Sequence, residues 1–303
     1  MYKINLHIVH PGLQTTIQDQ GRHHYAAYGV PIGGALDRYA AQLGNWLVDN
    51  PLDHPVLEIT YSGPKILIQG GCQIAITGAN ITPHINEQPI PLWQTITLSD
   101  TTTLSFGQLK DGCRCYLAIR GNWNIPTWLG SYSTLSYGDV TSALDKGDTL
   151  EIHLYPPIET KTFQPPFTYS NHIEVRVLPG PEFSWFTPAS LNNLISQNYR
   201  LSPQCNRMGY RLEGQPLKLK EKKEMISSGI IPGTIQVTGS GHPIILLADA
   251  QTTGGYPRIA NVISTDVDTL AQLKPGDEVK FKIVPLSEAQ ELYRKRAKVV
   301  GGW

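Results

Sequence analysis

A polar segment near the end of the chain, 247–257, places a carboxylate, an amide, two hydroxyls and two glycines in one turn. It follows a short apolar run, 244–247, whose length is typical of a buried strand, so the polar groups would lie at a strand end on a rigid base. Paired glycines allow backbone N–H groups to approach a ligand, and successive N–H groups can form an anion-binding concavity. A glycine hairpin whose threonines only satisfy the turn explains the same residues equally well.

Asp249 is the candidate in this segment for acid/base chemistry. No serine lies in a GxSxG elbow and no Cys/His pairing stands out, so covalent acyl chemistry has no visible nucleophile. Proton transfer by Asp249, helped by N–H donors near Gly254 and Gly255, is the more economical hypothesis.

A second cluster, 202–214, places Arg207 and Arg211 around a glycine and Tyr210. The arginine fork binds carboxylates through two parallel hydrogen bonds, so the cluster could hold an acidic substrate. Alternatively, the two arginines pair with Glu213 or Asp266 in a surface network that contributes little stability.

A third candidate lies in the first quarter of the chain, where 18–22, ending in Arg22, leads through a glycine-rich stretch to Asp37. The start of a helix after glycines suits an anion, because unpaired N–H groups point outward there. Neither GxGxxG nor GxxxxGK[ST] occurs in this stretch, so we expect no ATP site of the P-loop type. The alternative is that Gly34 and Asp37 only shape the beginning of the helix.

Composition limits the possible partners. The 303 residues carry 25 basic and 25 acidic side chains, which leaves no excess positive charge for nucleic acid or an acidic membrane. The N-terminus has no cationic segment followed by a long apolar stretch, and no run of about 18 apolar residues occurs anywhere. These features predict a soluble, cytoplasmic protein whose partners are small molecules and other proteins.

The cysteines and histidines do not predict a metal site. Cys113 and Cys115 would share one face of a strand but lack a second ligand pair, so we interpret all four cysteines as reduced, including Cys72 and Cys205. The nine histidines form no zincin spacing, and the neighbours His23 and His24 are expected to be exposed.

The chain looks like two halves built on one plan. Each half opens with a strand ending in Pro-Gly, at 8–12 and 176–180, and each closes with a turn feeding an alternating strand, at 144–152 and 273–281. The predicted domains are a first β-barrel-like half at 1–155, a proline-rich linker or surface crossing at 156–170, a second half at 171–285, and a C-terminal helix and tail at 286–303.

Short strands between turn residues dominate the pattern, which favours a β-barrel or sandwich. The predicted strands are 66–68, 73–77, 95–98, 116–119, 173–178, 244–248, 258–264 and 278–283. Helices are few. Apolar residues recur at helical spacing over 35–48. Thr187-Pro188 caps a helix buried through Leu191, Leu194 and Ile195, and Ser287 with Gln290 forms a capping box for the last helix.

Taken together, these segments resemble the family called allophanate hydrolase subunit 2, also known as the biotin-dependent carboxyltransferase-like family. The resemblance rests on short motifs spread over most of the chain. They are Pro11-Gly12-Leu13, Thr15 to Asp19 with Gly21-Arg22, Gly29-Val30-Pro31, Gly34 to Asp37, Leu57-Glu58, Gly63-Pro64, Tyr116-Leu117-Ala118, Leu129-Gly130-Ser131, Arg176 to Pro181, Asn206 to Gly214, Asp249 to Pro257 and Ile259-Ala260.

The resemblance implies a mostly β fold of two cyclophilin-like β-barrel domains with a few short helices. It also implies that the chain is one component of an ATP-dependent 5-oxoprolinase, which opens 5-oxo-L-proline to L-glutamate. The implied partners are a protein of the allophanate hydrolase subunit 1 type, which is the B component of 5-oxoprolinase, and a LamB/YcsF-like protein, which is its A component. ATP would be handled by the complex rather than by a P-loop in this chain, and covalent biotin is not expected because no Met-Lys-Met motif occurs.

On this basis the hypothesis is a cleft between the two halves. Asp249, Gln251 and Thr252 are the predicted catalytic residues: Asp249 moves protons, and the other two stabilise developing charge together with Gly254 and Gly255. The remaining predicted substrate-binding residues are Arg207, Tyr210, Tyr256 and Arg258, with Arg22 and Asp37 lining the same cavity from the first half.

Two other functions fit the same family. One is the carboxyltransferase component of a biotin-dependent, urea-type carboxylase, and the other is a non-catalytic antagonist of a kinase-inhibitor protein. The chain departs from the family pattern at Asn206, where members commonly have Asp, and at Asn122-Trp123, which replaces the second glycine of a pair after Gly121.

Overall fold

The computed structural model describes residues 2–135 and 142–299. The chain divides into two compact units, the first formed by Met1–Arg22 and Gly33–Tyr169 and the second by His23–Ile32 and Ser170–Trp303. The segment 23–32 therefore belongs to the second unit, although it interrupts the first unit in sequence. The predicted tail after residue 299 lies outside the described residues.

The described part of the first unit contains two antiparallel sheets and a helix. Its elements in chain order are β1 (Lys3–His10), β2 (Gln14–Gln18), α1 (Arg38–Leu47), β3 (Val56–Thr60), β4 (Lys65–Gln69), β5 (Cys72–Asn80), β6 (Pro83–Ile85), β7 (Gln88–Pro89), β8 (Thr95–Leu98), β9 (Thr102–Phe106), β10 (Asp111–Ile119), β11 (Asn122–Trp123) and β12 (Thr149–His153). The strand orders are β11-β12-β1-β4-β9-β6-β7 and β2-β3-β10-β5-β8.

Apolar side chains from both sheets form the core of the first unit. Leu6, Ile66, Ile74 and Leu117 are completely buried in one cluster. Burial alternates along β1 and β4, so one face of their sheet packs on the core. Strands β5 and β10 are buried at nearly every position because both of their faces are covered.

Helix α1 covers the five-stranded sheet. It begins after Asp37, whose Oδ1 accepts a hydrogen bond from the Ala40 N–H at 2.9 Å. A Cβ at Gly44 would lie 3.1 Å from the Thr77 hydroxyl, so the missing side chain lets the helix approach β5 closely. The Thr77 hydroxyl also donates to the Ala40 carbonyl at 2.7 Å. The helix predicted over 35–48 is confirmed, with three fewer residues at its start and one fewer at its end.

The second unit is a closed barrel with three α-helices among its described residues. Its elements are β13 (His172–Pro179), α2 (Pro188–Ser196), β14 (Tyr199–Leu201), β15 (Gly209–Glu213), β16 (Ser228–Gly229), β17 (Thr234–Val237), β18 (Pro243–Leu246), β19 (Thr253–Gly254), β20 (Arg258–Val262), α3 (Ser264–Leu270), β21 (Glu278–Ile283) and α4 (Leu286–Val299). The barrel order is β13-β20-β17-β18-β15-β14-β21, while β16 and β19 form a separate two-stranded sheet. The mostly β class with few helices is confirmed.

The helix predictions for the second unit are confirmed in part. Thr187 caps α2 through its hydroxyl, which accepts from the Ser190 N–H at 3.2 Å, and Leu194 is buried as expected, but Ile195 is exposed. The capping box predicted at Ser287 is wrong, because α4 already begins at Leu286 and Ser287 lies within it. Helix α3 was not predicted.

Most predicted strands are present. The strands at 95–98 and 278–283 have the predicted bounds, and those at 66–68, 73–77, 116–119 and 173–178 are longer than predicted. The strand predicted at 244–248 ends at Leu246, where the chain turns. The strand predicted at 258–264 ends at Val262, because Ser264 begins α3.

The sequence echo between the two halves corresponds to similar local structure but different pairing. Gly147 and Gly276 both adopt positive φ, 97° and 93°, in the turns that feed β12 and β21. However, β1 pairs with β12 in antiparallel fashion, whereas β13 pairs with β21 in parallel. The echo therefore reflects a repeated turn and strand rather than a repeated sheet.

The proline-rich segment predicted at 156–170 is held on the first unit by backbone hydrogen bonds. The Thr95 N–H donates to the Lys161 carbonyl at 2.9 Å, and the Phe163 N–H donates to the Trp93 carbonyl at 2.8 Å. The segment thus continues the edge of the five-stranded sheet beyond β8.

Candidate functional site

Arg207 and Asp249 form a two-point ion pair inside the second unit. Arg207 Nε donates to Asp249 Oδ2 at 2.8 Å, and Nη2 donates to Oδ1 at 3.0 Å. Only 4% and 2% of the two side chains are exposed. Arg207 precedes β15 and Asp249 follows β18, and these strands are hydrogen-bonded neighbours. The Asp249 N–H also donates to the Arg207 carbonyl at 3.1 Å, so backbone and side chains hold the two loops together.

The segment that follows Asp249 is mostly at the surface. Gln251 and Gly255 are exposed, Thr252 is half-buried, and 48% of Tyr256 is exposed. The Thr252 carbonyl accepts a hydrogen bond from the Ile230 N–H at 3.0 Å, and β19 pairs with β16. This segment is therefore a polar surface turn whose base is fixed by the buried ion pair.

Gly254 and Gly255 do not form the N–H concavity that the sequence suggested. Neither has a φ between +20° and +160°, so neither supplies the left-handed residue of an αR–αL nest. A Cβ at Gly254 would instead lie 2.5 Å from Nε2 of Gln236. Nε2 of the buried Gln236 donates to the Tyr256 carbonyl at 3.3 Å, so Gly254 leaves room for the amide that supports the turn.

Arg258 is bound by Glu182. Its Nε and Nη2 donate to the two carboxylate oxygens at 2.8 and 2.7 Å, its backbone N–H donates to Oε2 at 3.0 Å, and Nη1 donates to the Gly229 carbonyl at 3.0 Å. These bonds from Arg258 lower the pKa of Glu182. A Cβ at Gly180 would lie 2.2 Å from the Arg258 carbonyl, which explains the glycine after Pro179.

Tyr210 points into the barrel. It is 1% exposed, and its hydroxyl donates to the Leu273 carbonyl at 3.3 Å. In β15 the inward residues Tyr210 and Leu212 alternate with the exposed Arg211 and Glu213. Tyr210 therefore contributes to the barrel core, while its exposed neighbours face outward.

Arg22 is buried in the first unit and binds a loop. Its guanidinium carbon lies 5.0 Å from the ring centroid of Trp128, Nε donates to the Trp128 carbonyl at 3.4 Å, and Nη2 donates to the Ser133 carbonyl. The Asp19 carboxylate accepts from the Ser131 hydroxyl and the Tyr132 N–H, both at 2.7 Å. Arg22 and Asp19 thus fix the loop around residues 128–133.

The start of α1, predicted as an anion site, is occupied by a carboxylate of the protein itself. Glu58 Oε2 accepts from the Leu36 N–H at 2.8 Å and from the Tyr116 hydroxyl at 2.9 Å, and that hydroxyl accepts from the Asp37 N–H at 2.8 Å. Arg114 Nε lies 3.8 Å from Glu58 Oε1. Burial, with the Glu58 and Asp37 charges, raises the pKa of Tyr116 well above its usual range. The observed contacts of Asp37 agree with the alternative interpretation, in which Asp37 shapes the beginning of the helix.

The surface network suggested for Arg207, Arg211, Glu213 and Asp266 is wrong. Arg207 binds Asp249, and Asp266 binds Arg176, whose Nε and Nη2 donate to it at 2.9 and 2.5 Å. Both observed pairs join distant segments that the barrel brings together, and spacing in the sequence does not specify such pairs.

The departure at Asn206 preserves the local turn. Its Oδ1 accepts from the N–H groups of Met208 and Gly209 at 2.9 and 3.3 Å. The turn needs one acceptor oxygen at this position, which Asn and Asp both supply.

A surface groove of about 550 Å³ lies on the outer face of the barrel beside the polar turn. Its walls come from the loop after β14, the outward residues of β15, the turn between β17 and β18, and Tyr256. Among the predicted site residues, Tyr256 contributes to this groove.

The structure thus gathers part of the predicted site. Within the second unit it joins Arg207 to Asp249 and places 251–258 directly after the pair, whereas Tyr210 is in the core and Arg22 and Asp37 belong to the first unit. Sequence reasoning missed Glu182, Gln236 and the role of Glu58. A lone carboxylate within the apolar strand Val-Leu-Glu-Ile-Thr was the available signal for Glu58.

Cys113 and Cys115 are strand residues as predicted, and so is Cys72, whereas Cys205 lies in the loop between β14 and β15. All four are free, and Cys72, Cys113 and Cys115 are buried. Burial raises the pKa of Cys72 to about 12, and that of Cys115 further. His23 and His24 are exposed as expected. Within residues 2–135 and 142–299, no group of three His, Cys, Asp or Glu side chains could hold a metal ion. None of the described helices combines the length and apolar character that crossing a bilayer requires.

The fold and these motifs place the chain in a known family. Residues 28–283 match the model of the carboxyltransferase domain, subdomain A and B. The chain belongs to this family.

Two curated relatives match the chain over more than nine-tenths of its length. The C subunit of 5-oxoprolinase from Escherichia coli is 37% identical over 290 residues, which are 94% of this chain and 93% of that protein. The corresponding C subunit from Haemophilus influenzae is 35% identical over 93% of this chain and 92% of its own length.

A solved structure has the same fold within a longer chain. The urea amidolyase of K. lactis superimposes with a TM-score of 0.93 at 28% identity. The match covers 99% of this chain and 20% of the urea amidolyase.

Proposed function

We propose that this chain is the C-type subunit of an ATP-dependent 5-oxoprolinase, which opens 5-oxo-L-proline to L-glutamate. The proposal is supported by the match to the C subunits of two 5-oxoprolinases, which covers more than nine-tenths of this chain and of each relative. The proposed partners are a protein of the allophanate hydrolase subunit 1 type, as the B component, and a LamB/YcsF-like protein, as the A component.

The reaction needs activation because a lactam is a stable amide. In the proposed sequence, the lactam oxygen takes the γ-phosphoryl group of ATP, and ADP leaves. A first water attacks the activated carbon, and the C–N bond breaks with a proton passing to nitrogen, which leaves an acyl phosphate on the γ-carbon. A second water attacks this acyl carbon, and inorganic phosphate leaves with the former lactam oxygen, so both carboxylate oxygens come from water. The γ-carboxylate of glutamate results. ATP is a substrate of the complex in this proposal, since this chain carries no P-loop motif.

Within this chain, the buried pair Arg207–Asp249 is proposed to position the polar turn. Both charges are buried and already satisfied by each other, so the pair fixes where the segment after Asp249 begins. The proposed contacts to substrate are the side chains of Gln251, Thr252 and Tyr256, with the backbone of Gly255. Donors held in place before the reaction stabilise charge that develops during ring opening.

A second candidate function is carboxyl transfer from biotin. It is favoured by the carboxyltransferase family model and by the structural match to a urea amidolyase. This function would require a carboxylated biotin on a separate carrier, because the chain has no biotinyl-lysine Met-Lys-Met motif.

One substrate comparison separates the two functions. The three co-purified proteins are given ATP with 5-oxo-L-proline, and in parallel reactions urea with a carboxylated biotin carrier. The proposal predicts ATP-dependent glutamate release in the first reaction and no carboxyl transfer in the second. Carboxyl transfer to urea without glutamate release would reject the 5-oxoprolinase proposal in favour of the carboxyltransferase.

A further inference from the structure

The groove beside the polar turn has the features of a ligand site, and Tyr256 is the one proposed substrate contact that also lines it. Its volume of about 550 Å³ lies in the range of small-molecule pockets. Strand β15 forms one wall, and the turn at 238–242 forms another. In that turn the Thr238 hydroxyl contacts the Ser240 hydroxyl at 2.9 Å, and the Gly241 N–H donates to the Thr238 carbonyl at 2.9 Å. The wall is therefore a defined turn with hydroxyl groups.

Two opposite charges face this groove from one strand. Arg211 and Glu213 are two residues apart on the outward face of β15, so their Cα atoms are about 7 Å apart. Neither forms an ion pair with another described residue, in contrast to the satisfied pairs Arg207–Asp249 and Arg258–Glu182. Arg200 lies opposite Glu213 on β14, but its guanidinium is directed to Gly276.

The remaining groups of the groove complete a mixed polar and apolar lining. His242 is half-buried in the wall, and its Nδ1 is buried with no hydrogen-bond partner among residues 2–135 and 142–299. The Ser202 hydroxyl accepts from the Gln204 N–H at 3.2 Å and remains able to donate. The Tyr256 ring and Ile244 supply apolar surface.

We propose that this groove binds a free α-amino acid in its zwitterionic form. The Arg211 fork takes the carboxylate through two hydrogen bonds, and the Glu213 carboxylate takes the ammonium group. A carboxylate without an ammonium group would bind Arg211 but would be repelled by Glu213. An amine without a carboxylate would bind Glu213 but would be repelled by Arg211. Only a ligand carrying both charges on neighbouring atoms matches both side chains, with its own side chain against Tyr256 and Ile244.

This inference does not depend on the 5-oxoprolinase proposal, because it concerns binding to this chain alone. The test is isothermal titration calorimetry of the full chain with L-glutamate, L-proline and L-phenylalanine. Each amino acid is compared with its analogue that lacks the ammonium group or its charge: glutarate, 5-oxo-L-proline and 3-phenylpropionate.

The proposal predicts that at least one amino acid binds at least tenfold more tightly than its analogue. It also predicts that Arg211→Gln and Glu213→Gln each weaken this binding at least tenfold. Lys282→Gln is the matched control, because it removes an exposed charge on β21, a strand outside the groove, and should leave binding unchanged.

Three results would overturn the proposal: no binding by any of the amino acids, equal binding of every amino acid and its analogue, or unchanged binding in the Glu213→Gln variant. Circular dichroism of each variant verifies that the barrel is folded. Glutamate formation by the complex is measured in a separate experiment. Failure of amino-acid binding to this chain would therefore leave the 5-oxoprolinase proposal intact, and failure of glutamate formation would leave the binding proposal intact.

Discussion

Arg207 and Asp249 lie 42 residues apart in sequence and form two parallel hydrogen bonds inside the second unit. Each is the charged partner that the other needs, because both side chains are almost completely buried. The pair joins the loop before β15 to the loop after β18 and precedes the exposed segment 251–256. Its role is therefore to fix the polar turn, on which the proposed chemistry depends.

Removing one member of this pair should be worse than removing both. Asp249→Asn leaves the Arg207 charge buried without its carboxylate, which is expected to cost about 3–5 kcal/mol of unfolding free energy. The double variant Arg207→Met with Asp249→Leu removes both charges and should lose less stability than either Arg207→Met or Asp249→Leu alone. Urea unfolding with hydrogen exchange at β15 and β18 measures the effect.

The exposed pair Lys282–Glu174 gives the control for this experiment, since its atoms lie 3.7 Å apart in solvent. Glu174→Gln should change stability by about 1 kcal/mol or less. Additive losses at Arg207 and Asp249 would show that the two residues do not act as a unit.

The side chain of Gln236 occupies the space that a side chain at position 254 would need. Gly254→Ala would place a methyl group against Nε2 of Gln236 and displace the amide from the Tyr256 carbonyl, whereas a Cβ at Gly255 would make ordinary contacts at 3.4 and 3.5 Å. Stability should therefore fall more in Gly254→Ala than in Gly255→Ala, by about 1–3 kcal/mol, because a buried amide loses its partner. Thermal unfolding compares the two variants.

Combining Gln236→Ala with Gly254→Ala tests whether the clash with Gln236 is the reason for the glycine. The smaller side chain removes the clash, so Gly254→Ala should cost less stability in the Gln236→Ala background than in wild type. Equal losses from Gly254→Ala with and without Gln236 would assign the glycine to another constraint.

Tyr116 connects the start of α1 to Glu58. Tyr116→Phe removes a hydroxyl that donates to Glu58 and accepts from the Asp37 N–H, leaving two buried groups each without one partner. We expect a loss of about 2–4 kcal/mol in the first unit, since each unsatisfied buried group costs about 1–3 kcal/mol and relaxation recovers a part.

The same hydrogen-bond network predicts that the Tyr116 hydroxyl ionises at a higher pH than an exposed tyrosine. Burial and the neighbouring carboxylates raise its pKa, so it should stay neutral where exposed tyrosines ionise, near pH 10. Absorbance at 295 nm of wild type and Tyr116→Phe should then show equal phenolate signals through that range. A wild-type excess near pH 10 would contradict the buried network.

The Glu182–Arg258 pair should make the second unit sensitive to acid. Arg258 lowers the pKa of Glu182, so the stabilisation is complete above the unfolded pKa of about 4.3 and is lost as pH falls through the lower folded value. The stability advantage of wild type over Glu182→Gln should therefore shrink between about pH 5 and pH 3. Urea midpoints at pH 7, 5, 4 and 3 measure it, and a constant advantage would contradict the pairing.

Local patterns predicted much of the secondary structure. The alternating residues at 95–98 and 278–283 gave strands with the observed bounds, and the apolar spacing around Leu43 gave α1. Helix α3 was missed because its sequence, Ser-Thr-Asp-Val-Asp-Thr-Leu, is rich in β-branched residues and its cap position, Ile263, makes no side-chain hydrogen bond.

The candidate site was harder to predict, because its partners are distant in sequence. The pattern around Arg207 suggested a carboxylate, but nothing local identified Asp249 as that carboxylate or Glu182 as the partner of Arg258. Strand order in the barrel decides these pairings, and periodicity does not specify strand order. The groove likewise depends on the turn at 238–242 lying beside β15.

The most direct test of the proposed function is an omission experiment. The two purified partner proteins are supplied with ATP and 5-oxo-L-proline, and glutamate and ADP are measured with and without this chain. We expect one glutamate for each ADP when the chain is present, and at least a hundredfold less glutamate when it is omitted. Equal glutamate release in its absence would contradict the assignment of this chain to a 5-oxoprolinase.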